Sequence, residues 1–571
     1  MKRAILKCGR LLAPMTLLMC LAVTAFAAAP GITGPTFNLT AQPAFLNQPD
    51  GEAVYSWGYG CNGAPAGFAP TLPGQNCPSM QVPGPTLIVT EGATVSVTLT
   101  NQLPTAAGNT SILFPGFTLT STTCSTGAVQ GLLTCEAPPG GSVTYTFTAS
   151  APGTHAYYSG TQGDLQVEMG LYGAIIVLPG TIPANCNAGY HALNVQAQAS
   201  TSSAHPGVTE TDFRLAHAAY DHPGSCYDRE YLFQWAEMDA RIHQQALAQV
   251  TALTGCTAGA VGCSLNVQTE PYHPAYFLIN GRSMPDLMDP NFAGEYPHQP
   301  YNANPHMHLG ELTLIRTVGQ GRWQHPFHEH ANHVRILARD GNLVLSGSST
   351  NVTYTSGLSG DTGVAGRGLA GTLMFNTDTT PGEAFDGIFY FTGRGLNWDP
   401  YGHHPGDTAD PLASLSCTPD VNGYNSGGGS TTAAAVSAVN FMEWCQDHNK
   451  PVQVNPFGDV AAGGPVTLPD PNAFTNGAWY GGSPYLGPDA TLRGNAPACV
   501  GNPYGTANPA NANCTNLQPA NLQLNPANER GWAFMWHSHN EREITTNNVF
   551  PGGMLMMMLV DSREFVIDEG M

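Results

Sequence analysis

The residues best suited to chemistry are histidines spaced two apart. His325-Pro-Phe-His-Glu-His330, with His333 close behind, contains His328 and His330, and Trp536-His-Ser-His539 contains His537 and His539. On a strand, residues i and i+2 share a face, so each pair aims two imidazoles at one point. That arrangement suits a Cu(II) or Zn(II) ion, with Glu329, Glu541 or Tyr158 as nearby oxygen donors. A lone strand histidine is usually an ordinary polar residue, and four clustered imidazoles can also simply hydrogen-bond one another and water. Two H-x-H pairs at matching places in one chain favour the metal.

Other chemical groups rank below these. His306-Met-His308 precedes a strand and reads as surface, and His403-His404 sits beside Pro405 at a loop entry. Met554, Met556 and Met558 alternate, which on a strand reads as core packing rather than a soft-metal track. No G-x-S-x-G, nucleotide-binding loop or dinucleotide fingerprint occurs.

Short strands must position the histidines. Val82-Pro-Gly-Pro-Thr leads into Ala93–Thr100, which alternates at the strand period, and Asn304–Glu311 leads into Leu312–Thr317 in the same way. Each copy continues to a Pro-Gly-started strand, Pro139–Tyr145 in one and Pro381–Asp386 in the other. Each ends on a glycine, aromatics, a polar loop and an apolar strand, over Gly153–Val177 and Gly531–Val560. This internal repeat predicts an all-β chain of two Greek-key β-sandwiches. The first is expected over residues 35–180. After a linker at 181–226, the second is expected over 227–400 and resumes at 529–571. A short helix is expected over Ala240–Leu253. Between the two parts of the second unit lies a Gly/Asn/Pro-rich insertion, residues 401–528, expected to fold back on the sandwich.

At the histidine motifs the sequence resembles the multicopper oxidase family, built from cupredoxin domains. Pro83-Gly-Pro-Thr-Leu, Gly153-Thr154 with Met169-Gly-Leu-Tyr-Gly173, Ile279-Asn-Gly-Arg282 and His325–His330 carry the resemblance. It implies two tandem cupredoxin-like sandwiches, a copper cofactor and oxidoreductase chemistry. It adds His325 as a match to the type 1 copper ligand, His328 to the type 2 ligand, and His330, His537 and His539 to type 3 ligands. Two-domain family members commonly form trimers with copper between subunits, so the resemblance also implies a homo-oligomer.

The departures from the family pattern limit the chemistry. The first motif falls at Leu113-Phe-Pro-Gly116 and the second at Tyr157-Tyr-Ser-Gly160, and neither contains histidine. In the fourth, Ser538 stands where the copper-binding cysteine belongs and Glu543 where the last histidine belongs. A serine hydroxyl cannot replace the thiolate that a blue copper centre requires. The expected function is therefore metal binding with altered or reduced oxidase activity. The alternative is a non-catalytic cupredoxin-fold protein used for binding or assembly.

Composition supports this setting. The chain has 571 residues, 19 Lys+Arg against 40 Asp+Glu, a net charge of −21, and only 10% charged residues. Such acidity disfavours nucleic acid as a partner, and 42% hydrophobic residues argue against disorder. Lys2, Arg3, Lys7 and Arg10, the apolar run Leu17–Phe26 and Ala25-Phe-Ala27 read as a signal peptide over residues 1–29, hence export to the periplasm or the exterior. A lipid anchor at Cys20 is disfavoured by the bulky Met19 before it. No other apolar run reaches the length of a membrane span. Of 14 cysteines, Cys8 and Cys20 lie in the signal. The rest suggest the pairs Cys61/Cys77, Cys124/Cys135, Cys256/Cys263 and Cys499/Cys514, leaving Cys186/Cys226 and Cys417/Cys445.

Overall fold

The computed structural model describes residues 29–345, 371–390 and 530–561 apart from short stretches, of which 187–213 is the longest. It also describes the backbone of 483–486 and the isolated residues Leu369 and Ile567. The expected signal peptide, His403-His404 and most of the insertion at 401–528 lie outside the described residues.

The fold is all-β, as the alternation predicts. In the first sandwich, Gly153–Tyr158, Tyr172–Leu178, Leu87–Thr90, Gly31–Thr33 and Gly67–Ala69 lie side by side in that order. They close on a second sheet ordered Ala53–Cys61, Thr36–Asn47, Thr94–Asn101 and Ser142–Thr148. One core of Leu39, Trp57, Val97, Tyr145, Phe147, Tyr157 and Ile175 joins the two. Thr94–Asn101 shows the cause: Val95, Val97 and Leu99 are buried while the threonines and serine between them are not.

The second sandwich pairs a sheet ordered Tyr276–Ile279, Arg229–Met238, Leu312–Gly319, Ala384–Tyr390 and Val334–Arg339 with one ordered His306–His308, Leu555–Asp561, Arg530–Ser538, His325–Glu329 and Asn376–Thr379. Phe233, Trp235, Phe327, Phe389 and Trp536 fill the space between them. Ser483–Leu486, from within the insertion, adds to the second sheet by pairing with Arg530–Ala533.

Arg229–Met238 does not alternate; every residue in it is buried. One of its faces meets the second core, and the other packs on the first sandwich, where Ala236 and Met238 join Met80, Val82 and Tyr172. A strand covered on both sides loses the in–out pattern. Several polar groups trapped at this junction pair with one another. Arg316 donates to Glu230 at 3.0 Å and to Thr154 at 3.0 Å, and Thr154 donates to Asp386 at 2.6 Å. Tyr220 also donates to Asp386. The turn at Asn280-Gly281 presses on the first unit as well: a Cβ on Gly281, at φ +83°, would lie 2.1 Å from the Val82 carbonyl oxygen. Only glycine fits there.

The expected helix forms at Ala240–Ala252, with the Asp239 side chain capping it by accepting from the Arg241 N–H at 3.1 Å. Its Ile242 and Ala246 reach into the core of the first sandwich. Disulfides join Cys61–Cys77, Cys124–Cys135, Cys186–Cys226 and Cys256–Cys263, as the spacing suggested. Cys417, Cys445, Cys499 and Cys514 lie outside the described residues. Among the described residues no helix is long and apolar enough to cross a membrane.

Met554, Met556 and Met558 are buried in the second core, as their alternation implied. Met556→Leu should therefore cost under about 1.5 kcal/mol and Met556→Ala about 2–5 kcal/mol in urea unfolding. Equal costs for the two would show that the side chain does not fill the core.

Candidate metal centre

The site is built by two antiparallel strands in tight register. His325–Glu329 pairs with Arg530–Ser538 so that His328 lies opposite His537, and Phe327 opposite Ser538. Because side chains alternate, residues opposite one another share a face. His328 and His537 therefore project to the outer side together, and His330 and His539 follow two residues on. Phe327 and Ser538 turn inward, and so does His325, an even number of residues from Phe327 and an odd number from His328.

The outer face gathers imidazoles. The coordinating atoms of His328, His330 and His537 lie within 4.8 Å of one another. The Nε2 atoms of His330 and His537 are 3.2 Å apart. His539 completes the cluster, its ring centroid 4.8 Å from that of His328 and 5.6 Å from that of His537. His328 and His537 are each 8% exposed, His330 is partly exposed and His539 exposed. His328 Nδ1 donates to the Phe375 carbonyl at 2.6 Å, and His537 Nδ1 to the carbonyl of Ser538 at 2.6 Å. Each bond fixes the tautomer, leaving a lone pair on Nε2 and orienting it toward the cluster, which is how metal-binding imidazoles are supported. His330 Nδ1 is buried with no hydrogen-bond partner in the structure.

The electrostatics agree with the geometry. Burial, then the neighbouring imidazoles, push both His328 and His330 down to about 4. Burial also lowers His537. At neutral pH these rings are uncharged with free lone pairs, the form that binds a metal. Tetrahedral coordination at about 2.0–2.1 Å needs nitrogens roughly 3.3 Å apart. The His330–His537 separation meets this, and all the coordinating atoms lie within 4.8 Å of one another. The residues present therefore fit a bound transition metal.

His325 does not join them. It is fully buried on the inner face, with Nδ1 2.8 Å from Glu543 Oε2 and Nε2 2.8 Å from Glu237 Oε2. Burial alone would lower its pKa, but the two carboxylates outweigh it and raise it to about 9. The ring is a cation bridging two acids. Glu237 Oε1 accepts from the backbone N–H groups of Arg322 and Trp323 at 2.7 and 2.9 Å. Glu543 Oε2 also accepts from the Ser538 hydroxyl at 2.5 Å, and its Oε1 from Asn540 Nδ2 at 2.9 Å.

Other expected oxygen donors stand elsewhere. Glu329 faces inward, accepts from the Thr377 hydroxyl at 2.7 Å, and is raised by burial well above the usual carboxyl range. Glu541 is exposed, and Tyr158 lies in the first sandwich, bridged to Leu113. Leu113 and Tyr158 are the positions where the family motifs expect histidine-bearing strands to meet. The strands do meet, through Leu113 N–H to the Tyr158 carbonyl at 2.7 Å, but Phe114 and Tyr157 beside them fill the core. His306–His308 forms a strand against Leu559–Asp561. Sequence reasoning missed Glu237; its only signal is an acid inside the largely apolar run Phe233–Met238. The separation of His325 from the other histidines was readable from the odd spacing between 325 and 328.

Comparison with known proteins agrees with the resemblance. Residues 79–181 match the family model for multicopper oxidase. The L-ascorbate oxidase of Brassica rapa subsp. pekinensis is 39% identical over 97 residues, covering 17% of this chain and 16% of that one. The iron transport multicopper oxidase fetC of Epichloe festucae is 38% identical over 95 residues, covering 17% and 14%. The chain thus spans less than a fifth of the length of these curated relatives. A blue copper oxidase structure from Nitrosomonas europaea superposes over 93% of this chain and 86% of that one, at 14% identity and a TM-score of 0.41.

The His325 bridge sets a pH dependence. A histidine whose folded pKa is raised above its unfolded value of about 6.5 stabilises fully below that value, and the contribution is lost as pH rises through about 9. Urea unfolding of the wild type and His325→Gln between about pH 6 and 10 should show a wild-type advantage of order 3 kcal/mol at the acidic end that shrinks steadily above about pH 6.5 and is gone beyond about pH 9. An advantage that stays constant with pH would contradict a charged His325.

Proposed function

Taking the multicopper oxidase resemblance of this chain as the premise, we propose that it is an exported copper-binding protein of that type. Its metal centre is His328, His330 and His537, with His539 alongside, and its oxidase activity is altered or reduced. One observation carries the reading: imidazoles from two paired strands converge on one face, and backbone carbonyls hold His328 and His537 with Nε2 facing inward. Ordinary buried histidines spend their nitrogens on hydrogen bonds to the protein. Here, among the described residues, the nitrogens turned toward the cluster meet only one another.

A bound copper would supply one-electron redox chemistry at this face. The chain's own part is to hold three neutral imidazoles in place before the metal arrives, which lowers the cost of organising the site. The buried ring of His328 limits access from within, whereas His330 and His539 leave the outer side open to solvent and to a small substrate. The family's complete cluster uses further histidines from the first sandwich, and those positions hold Leu113, Pro115, Tyr158 and Gly160. A smaller centre with weaker oxygen chemistry follows from that loss.

Metal analysis after loading with copper and, separately, zinc tests the reading. About one equivalent of copper should remain after dialysis. His328→Ala and His537→Ala should each weaken binding by more than the roughly 10–100-fold that loss of a supporting partner costs. Retention of zinc but not copper would identify a zinc site. Less than a tenth of an equivalent of either metal would overturn the proposal.

A further inference from the structure

The inner face of the same strand pair carries a second arrangement, and its chemistry is the opposite of the outer one. The resemblance implies a type 1 copper held by the residues at 325 and 538. The residues present do not fit it. Position 538 offers a hydroxyl, and the nitrogen of His325 nearest to it is already 2.8 Å from Glu543 Oε2. That same oxygen is 2.5 Å from Ser538 Oγ.

One carboxylate oxygen is thus the shared neighbour of the two side chains that would otherwise share a metal. A copper ion bound by both would lie about 2.0–2.3 Å from each donor, between them, where Glu543 Oε2 now stands. We propose that the Glu543 carboxylate takes the place of a metal at this position, and that the Glu237–His325–Glu543–Ser538 bridge closes the inner face to copper.

Three further observations support it. All four groups are at most 3% exposed, so a water shell does not offset the loss of any one contact. A histidine cation already lies between the two acids, 2.8 Å from each, so both carboxyl groups face a positive charge without a metal. Glu543 is also held independently of His325. It sits on the single turn Glu541–Ile544, and Asn540 both starts that turn and donates to its second oxygen. The inference does not depend on whether copper occupies the three outer histidines.

A thiolate at position 538 makes the position visible. Copper bound to a cysteine there would give an intense thiolate-to-copper absorption, which copper held only by imidazoles does not give. Ser538→Cys alone, loaded with Cu(II), should lack that band relative to wild type, because Glu543 still fills the place. The double variant S538C/E543Q should lack it too, since the amide fills the same volume. S538C/E543A should gain it, at up to one equivalent. Near-ultraviolet circular dichroism checks that each variant retains native packing. The band in S538C alone would overturn the proposal, whichever doubles fold. Its absence from a natively folded S538C/E543A would overturn it as well, since Glu543 would then not be what excludes the metal. Metal analysis of the wild type, read separately, reports on the outer centre.

Discussion

Paired strands send successive side chains to opposite faces, and that constraint organises everything around His325–Glu329 and Arg530–Ser538. With His328 opposite His537, the register sends four imidazoles outward. It sends His325, Phe327, Trp536 and Ser538 inward, into or beside the core of the second sandwich. A one-residue slip would exchange the two sets, burying the imidazole cluster and exposing Phe327 and Trp536. The aromatic core that fixes the fold therefore also fixes which histidines can meet.

The two faces solve different electrostatic problems. Outside, His328 and His330 stay neutral, because burial and the neighbouring imidazoles disfavour the charged form. Inside, His325 is charged, because two buried carboxylates accept from both of its nitrogens. Removing one partner from such a bridge leaves an uncompensated buried charge, so Glu237, His325 and Glu543 act as a unit. They also tie three distant parts of the chain together: the first strand of the second sandwich, the H-x-H strand and the turn after Ser538.

Much of this was legible in the sequence, because the relevant signals were local. Alternation in Ala93–Thr100 and Leu312–Thr317 marked strands, the run from Asp239 marked a helix, and cysteine spacing marked the four observed disulfides. The grouping of His328/His330 with His537 followed from strand period together with the resemblance to the family's histidine motifs. The Glu237–His325 contact was not legible, because it joins residues 88 apart through a sheet packing that no local pattern encodes. Nor was the full burial of Arg229–Met238, which comes from the first sandwich covering its second face.

On the proposed reading, one strand pair offers copper an outer site and denies it an inner one. Anomalous X-ray diffraction from crystals of the copper-loaded protein, recorded at the copper edge, tests both halves in one map. The account predicts a peak among His328, His330 and His537 and none between His325 and Ser538. A peak between His325 and Ser538, or an empty outer site in copper-saturated crystals, would contradict it.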